Sequence, residues 1–187
     1  VPSTLPSLHS HPPLIALARR GHAAPTVNYL VLDMLEIGSR FGPGSFDAAL
    51  CLGNTLVHLA GPEAISSTLG EIYRTLGAKG RFALQILNYA RILDQNVTEL
   101  PLLRTGGVSF ARSYSRNGGE SFNFNTELYV PGEAEPLRNS VPLYPLRPEA
   151  LERLLRGCGF GKVELHGGFN GESLSDDSFV AVALCVK

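Results

Sequence analysis

Two short apolar runs, residues 27–32 and 46–52, constrain this chain most, because each stops at small or polar residues. Asp33-Met34 follows the first, and Gly53-Asn54 follows Leu52 at the end of the second. Apolar runs of this length with such boundaries suit buried parallel strands. In open α/β sheets, ligands sit beyond the carboxyl ends of the strands. Asp33-Met34 and Gly53-Asn54 are therefore expected at the mouth of a site, side by side if the two strands are near neighbours. Gly53 lacks a Cβ, which lets a ligand approach the backbone closely.

The bulk of the sequence restricts the partners. Its 187 residues make one ordinary domain with room for a substantial core. Net charge is −1, only 18% of residues are charged, and acidic and basic residues are interspersed, so nothing advertises a nucleic acid. Cys51, Cys158 and Cys185 are widely spaced in apolar contexts, which fits free thiols in a reducing cytoplasm better than disulfides or zinc. No apolar run reaches the roughly 18–20 residues that span a bilayer, and no basic segment precedes an apolar one near the start. A cytoplasmic protein without membrane contact is expected. Its oligomeric state is left open, a homo-oligomer included.

Taken in order, residues 1–13 carry four prolines and are expected to hold a short turn of helix and nothing longer. Residues 14–21 read as a helix with basic residues in its last turn and Gly21 as its stop. Residues 61–76 are the clearest helix: Pro62 suits the first position, and Ile65, Leu69, Ile72 and Leu76 form one stripe. A strand over 80–87 brings Asn88-Tyr89 to the same rim, followed by a short helix around 90–96. Alternating residues on either side of Asn117-Gly118-Gly119 predict a hairpin. The segment 106–140 is thus expected to be a β insertion serving as lid, substrate wall or added sheet edge. A helix over 147–159 and strands over 162–169 and 178–186 close the chain.

The order of these fragments carries a resemblance. Asp-Met, a linker, Ser-Phe-Asp-Ala, an apolar run and then Leu-Gly-Asn-Thr-Leu-Val-His-Leu resemble the class I S-adenosylmethionine-dependent methyltransferases, in the branch of the glycine/sarcosine N-methyltransferases. Leu87-Asn-Tyr-Ala-Arg-Ile-Leu93, Leu143-Tyr-Pro-Leu146 and the closing strand add to it, so that residues 27–187 are covered. The resemblance implies a single Rossmann-like α/β domain: a doubly wound, mostly parallel sheet with a terminal antiparallel strand and an inserted β-hairpin.

The N-terminal stretch falls short of that pattern. Such a sheet needs a strand, a glycine-rich loop, a helix, a second strand and another helix before Val27, and one βαβ unit alone takes about 30 residues. Only 26 residues precede Val27. The family's glycine-rich loop and the acidic residue ending its second strand are both absent. Two readings stand. In the preferred one, the cofactor-loop region is incomplete here, segments of a longer polypeptide meet at points such as Pro13/Leu14 and Ala23/Ala24, and the absent loops are mobile. In the other, the chain is a degenerate methyltransferase that has lost its cofactor site.

Methyl transfer from a sulfonium is an in-line displacement by an uncharged nucleophile, so binding and orientation dominate and no dedicated acid or base is required. None is assigned. The resemblance places Asp33 and Met34 against adenine, as hydrogen-bond acceptor and soft thioether. The competing role for Asp33 is a helix N-cap or turn residue. Leu52, Gly53 and Asn54 would line the sulfonium and the acceptor, and His58 would reach the cofactor's amino-acid end, although a lone histidine is more often structural. Asn54, Asn88, Tyr89 and Tyr144 would meet the substrate. The arginine that clamps a glycine carboxylate in the family is replaced by Leu87, with Arg91 one turn later, so a plain glycine methylator is not expected. The histidines and acids show no metal-ligand spacing.

The expected function is therefore S-adenosylmethionine-dependent methylation of a small amine or hydroxyl compound. The alternative is an inactive methyltransferase-like binding or scaffold protein. A nicotinamide dehydrogenase would need a Gly-x-Gly-x-x-Gly that the chain lacks.

Overall fold

A computed structural model describes residues 5–21, 24–116 and 121–187. The chain opens with a small βαβ unit in which β1 (Leu5–His9) pairs in parallel with β2 (Val27–Val31), Leu5 opposite Val27. The helix α1 (Pro12–Gly21) makes the crossover. Where the sequence allowed nothing beyond a turn of helix, there is a five-residue strand. The Leu5 N–H donates to the Thr26 carbonyl at 2.8 Å. Strand alternation then turns Pro6 to the opposite edge, where its missing N–H breaks no ladder bond. Pro12 and Pro13 sit in the first turn of α1, where missing donors are tolerated. Pro13 and Leu14 are consecutive residues of this helix; Ala23 lies outside the described residues. Among the described residues of this unit only Ile15 is buried, so its core is slight.

A 3₁₀ turn (Met34–Glu36) and α2 (Ile37–Arg40) lead to β3 (Phe46–Cys51). They are fastened to α3 (Pro62–Thr75), whose Arg74 donates from Nη2 to the carbonyls of Gly38 and Phe41 at 2.5 and 3.2 Å. The predicted stripe of α3 is in place: Ile65, Leu69 and Leu76 are wholly buried and Ile72 nearly so. The helix stops one residue before Leu76, which turns extended (φ −75°, ψ 139°) and begins β4 (Leu76–Leu87) directly. The strand therefore starts ahead of Gly77 and Gly80 rather than after them.

The main sheet has the order β3-β4-β10-β9, with β9 at Lys162–His166 and β10 at Val180–Val186. Strands β3 and β4 are parallel, and β10 runs antiparallel to both its neighbours. The short α4 (Tyr89–Asp94) follows β4, and α5 (Pro148–Gly157) packs Leu151 and Leu155, both fully buried, into the core. Residues 99–143 form an antiparallel meander, β5 (Glu99–Thr105), β6 (Val108–Arg116), β7 (Phe122–Tyr129) and β8 (Leu137–Leu143), in that order. Its Tyr114, Phe122 and Leu143 join the main core. The Asn117-Gly118-Gly119 turn lies outside the described residues.

One expectation is corrected. The two apolar runs were to be buried strands, side by side if near neighbours, yet β2 and β3 belong to different sheets and stay partly open, with Val31 48% and Leu50 66% exposed. The cause is that among the described residues each has a partner on one side only, β1 for β2 and β4 for β3. The doubly wound order 3-2-1-4-5 explains the pattern. The pair β2-β1 fills positions 3-2 and the pair β3-β4 fills positions 4-5. Among the described residues no strand fills position 1. The architecture is Rossmann-like α/β, with its sheet in two pieces.

Candidate active site

The switch point of such a sheet, where strand order reverses, is where ligands bind, and here it lies between β1 and β3. Asp33 lies two residues beyond the end of β2 and is exposed; its Oδ1 accepts the Leu35 N–H at 2.9 Å and so caps the 3₁₀ turn. Met34 is half-buried against the core. On the other side of the switch point, Gly53 (φ +75°) and Asn54 (φ +64°) are successive left-handed residues that turn the chain off the end of β3. Gln85 of β4 pins both. Its Oε1 accepts the Gly53 N–H at 2.8 Å and its carbonyl accepts the Asn54 N–H at 3.2 Å. A Cβ at Gly53 would meet open space, so the bend leaves the backbone accessible beside exposed Leu52.

The Asn54 side chain points inward. Its Nδ2 donates to the Tyr89 hydroxyl at 3.0 Å, and its Oδ1 accepts the Leu87 N–H at 2.9 Å. Asn88, 1% exposed, donates to the Ser175 carbonyl at 3.1 Å and caps α4 through the Arg91 N–H at 3.4 Å. Tyr89 is fully buried, and desolvation holds its phenol neutral, with its pKa well above the ordinary value. These three residues meet on one rim, but each spends polar atoms on protein partners. Arg91 lies over the Phe179 ring, 6.0 Å from its centroid.

His58 and Tyr144 are brought together elsewhere. With Gly61, Glu63, Ser121 and Pro142 they line a groove of about 470 Å³ between the end of a second 3₁₀ turn (Thr55–His58) and the end of β8. The Tyr144 N–H donates to the Val57 carbonyl at 2.8 Å, which fixes that wall. Partial burial penalises the charged imidazole and lowers the His58 pKa. The predicted residues thus fall into three groups: Asp33-Met34 and Leu52-Gly53 at the switch point, Asn54-Asn88-Tyr89 beneath it, and His58-Tyr144 in the groove.

Sequence reasoning passed over Tyr114. It is 6% exposed on β6, and its hydroxyl has no hydrogen-bond partner among the described residues. Burial raises its pKa to about 12, and its charge would act on Tyr89. Its alternation with Phe110 and Arg112 was visible in the sequence, but the proximity of β6 to α4 was not. Among the described residues no three His, Cys, Asp or Glu side chains are grouped to hold a metal ion.

No family profile matches the chain. A glycine/sarcosine/dimethylglycine N-methyltransferase of Actinopolyspora halophila is 30% identical over 163 residues, 86% of this chain and 27% of that protein. A glycine/sarcosine N-methyltransferase of Halorhodospira halochloris is 30% identical over 169 residues, 88% of this chain and 59% of that protein. The chain therefore spans only part of the curated relatives it matches. Among solved structures, the CcbJ methyltransferase of Streptomyces caelestis superposes with a TM-score of 0.79 at 16% identity, over 97% of this chain and 78% of that one. Nearly the whole chain, both pieces of the sheet included, fits one such fold. By sequence the chain is similar to part of the glycine/sarcosine N-methyltransferases, and its Rossmann-like fold is the one seen in solved S-adenosylmethionine-dependent methyltransferases.

Proposed function

We propose that the chain works as an S-adenosylmethionine-dependent methyltransferase acting on a small amine. The observation that carries this reading is the pair of rims, Asp33-Met34 and Leu52-Gly53, at the carboxyl ends of β2 and β3 on either side of the switch point. The residues present fit one flank of the cofactor. Asp33 offers an exposed carboxylate, Met34 a thioether, and Gly53 an open backbone bend. When bound, S-adenosylmethionine supplies a methyl group on a sulfonium, already activated for displacement. The chain's residues then have to bind, aim and exclude water, and alignment of this kind can be worth about 7–11 kcal/mol. Asn54, locked between Tyr89 and Leu87, fixes the bend beside which the reacting groups would lie.

An amine acceptor is supported by the relatives, both named as N-methyltransferases. Leu87 at the position of the family's carboxylate-clamping arginine favours an amine without a carboxylate. The test is transfer of a radiolabelled methyl group to glycine, sarcosine and a carboxylate-free amine such as glucosamine. Turnover with the last above the first two supports the proposal; no label on any acceptor counts against it. A second reading, an inactive binding or scaffold protein, is favoured by one observation: among the described residues no strand fills the position where the glycine-rich loop of such folds begins.

A further inference from the structure

In a sheet of order 3-2-1-4-5, the strand at position 2 ends at the ribose corner of a bound nucleotide, where an acidic side chain takes the 2′-hydroxyl. Strand β1 fills that position, and it ends at His9. His9-Ser10-His11 therefore stand where the sequence alone showed only that an acid was missing. The turn is tied directly to the Asp33-Met34 rim. His9 lies opposite Val31, and its carbonyl accepts the N–H of Leu32, the residue before Asp33, at 3.2 Å. All three residues of the turn are exposed. The polarity of the His9 ring follows from one bond: its Nδ1 accepts the His11 N–H at 2.9 Å, so the neutral imidazole carries its proton on Nε2.

We propose that His9 is the ribose-recognition residue of this chain, holding the 2′-hydroxyl oxygen by donation from Nε2 where such sheets ordinarily offer a carboxylate. The two groups grip a ribose differently. A carboxylate has two acceptor oxygens and a charge, so it takes a hydroxyl proton in a charge-assisted bond. The His9 Nε2–H is a single neutral donor, and the Ser10 hydroxyl beside it adds a second neutral group. Closing β1 into α1 explains the bond at Nδ1 and leaves Nε2 to the ligand. A corner of this kind accepts a ribose but discriminates weakly between it and a 2′-deoxyribose, so the adenine and sulfur ends carry the affinity. The inference rests on the methyltransferase reading and adds to it the residue that sets selectivity for the nucleoside.

The test is calorimetric titration of S-adenosylhomocysteine, and of its 2′-deoxyribose analogue, into the 187-residue protein and two variants. In His9→Asp one side-chain oxygen can accept the His11 N–H and keep the turn, which leaves the other oxygen for the ribose. His9→Asn keeps the same turn bond and presents a neutral donor instead. The unaltered protein and His9→Asn are expected to prefer the ribose ligand by no more than about fivefold, and His9→Asp to raise that preference at least about fivefold further. Histidine ¹⁵N NMR should show His9 protonated on Nε2 in the free protein, with that signal moving as S-adenosylhomocysteine saturates. An unchanged preference in His9→Asp, or a His9 signal unmoved at saturation, would overturn the inference while leaving the methyltransferase reading in place. Failure of all three proteins to bind S-adenosylhomocysteine would overturn both.

Discussion

The Asn54 amide donates to the Tyr89 hydroxyl at 3.0 Å across a separation of 35 residues, tying the bend after β3 to the first residue of α4. The same side chain receives the Leu87 N–H, so one residue satisfies two buried groups. Asn54→Ala removes both and puts an alanine at φ +64°. The expected loss is about 2–4 kcal/mol, from an unsatisfied buried phenol and left-handed strain. Tyr89→Phe is expected to cost about 1–2 kcal/mol. Urea denaturation of both single variants and the double one should give a coupling energy clearly different from zero.

Tyr114 should behave in the opposite way. Its hydroxyl is buried without a partner among the described residues, so Tyr114→Phe removes a desolvated group and leaves the packing intact. Thermal unfolding should show an unchanged or higher Tm. If the hydroxyl meets the methyl acceptor, the variant loses methyl transfer while keeping its stability.

The thiols should be inert in the fold. Burial raises the pKa of Cys51 to about 11 and that of Cys185 to about 12, and raises that of Cys158. Against an unfolded value near 8.5, modification of Cys51 at pH 8 should be on the order of a hundredfold slower in native than in denatured protein. The unfolded thiols ionise first, so their contribution to stability is present below pH ~8.5 and is lost as pH rises above it. A dithiobisnitrobenzoate time course in each state checks the first point and denaturation at pH 8 and 10 the second.

His58 sets a limit on the acid side. Its folded pKa lies below the ordinary value near 6.5 because burial disfavours the imidazolium. The unfolded state therefore takes up the proton first. The contribution is present above pH ~6.5 and is lost as pH falls through the folded pKa. Histidine NMR titration should show a midpoint below that of the free side chain, and His58→Gln should flatten stability between pH 7 and 5.

How far the sequence reaches depends on where each residue's partners are. The stripe of α3 was legible because Ile65, Leu69, Ile72 and Leu76 meet one surface at helical spacing. The strand β1 was hidden because Pro6 reads as a breaker and shows itself harmless only when the Leu5 N–H is known to face β2. Strands β5 and β8 were missed because their side chains are mostly exposed and carry no alternation. At the site, Asp33 and Gly53 were legible as strand-end residues. The inward turn of Asn54 was not, since its partners Leu87 and Tyr89 lie more than thirty positions away.

The central claim is that the switch point between β1 and β3 is a cofactor site, and calorimetric titration of S-adenosylhomocysteine into the 187-residue protein tests it most directly. One-to-one binding in the micromolar range, about −8 kcal/mol, weakened by Asp33→Ala, is the predicted result. No heat of binding at millimolar ligand from folded protein would contradict it and leave the inactive scaffold as the account of this chain.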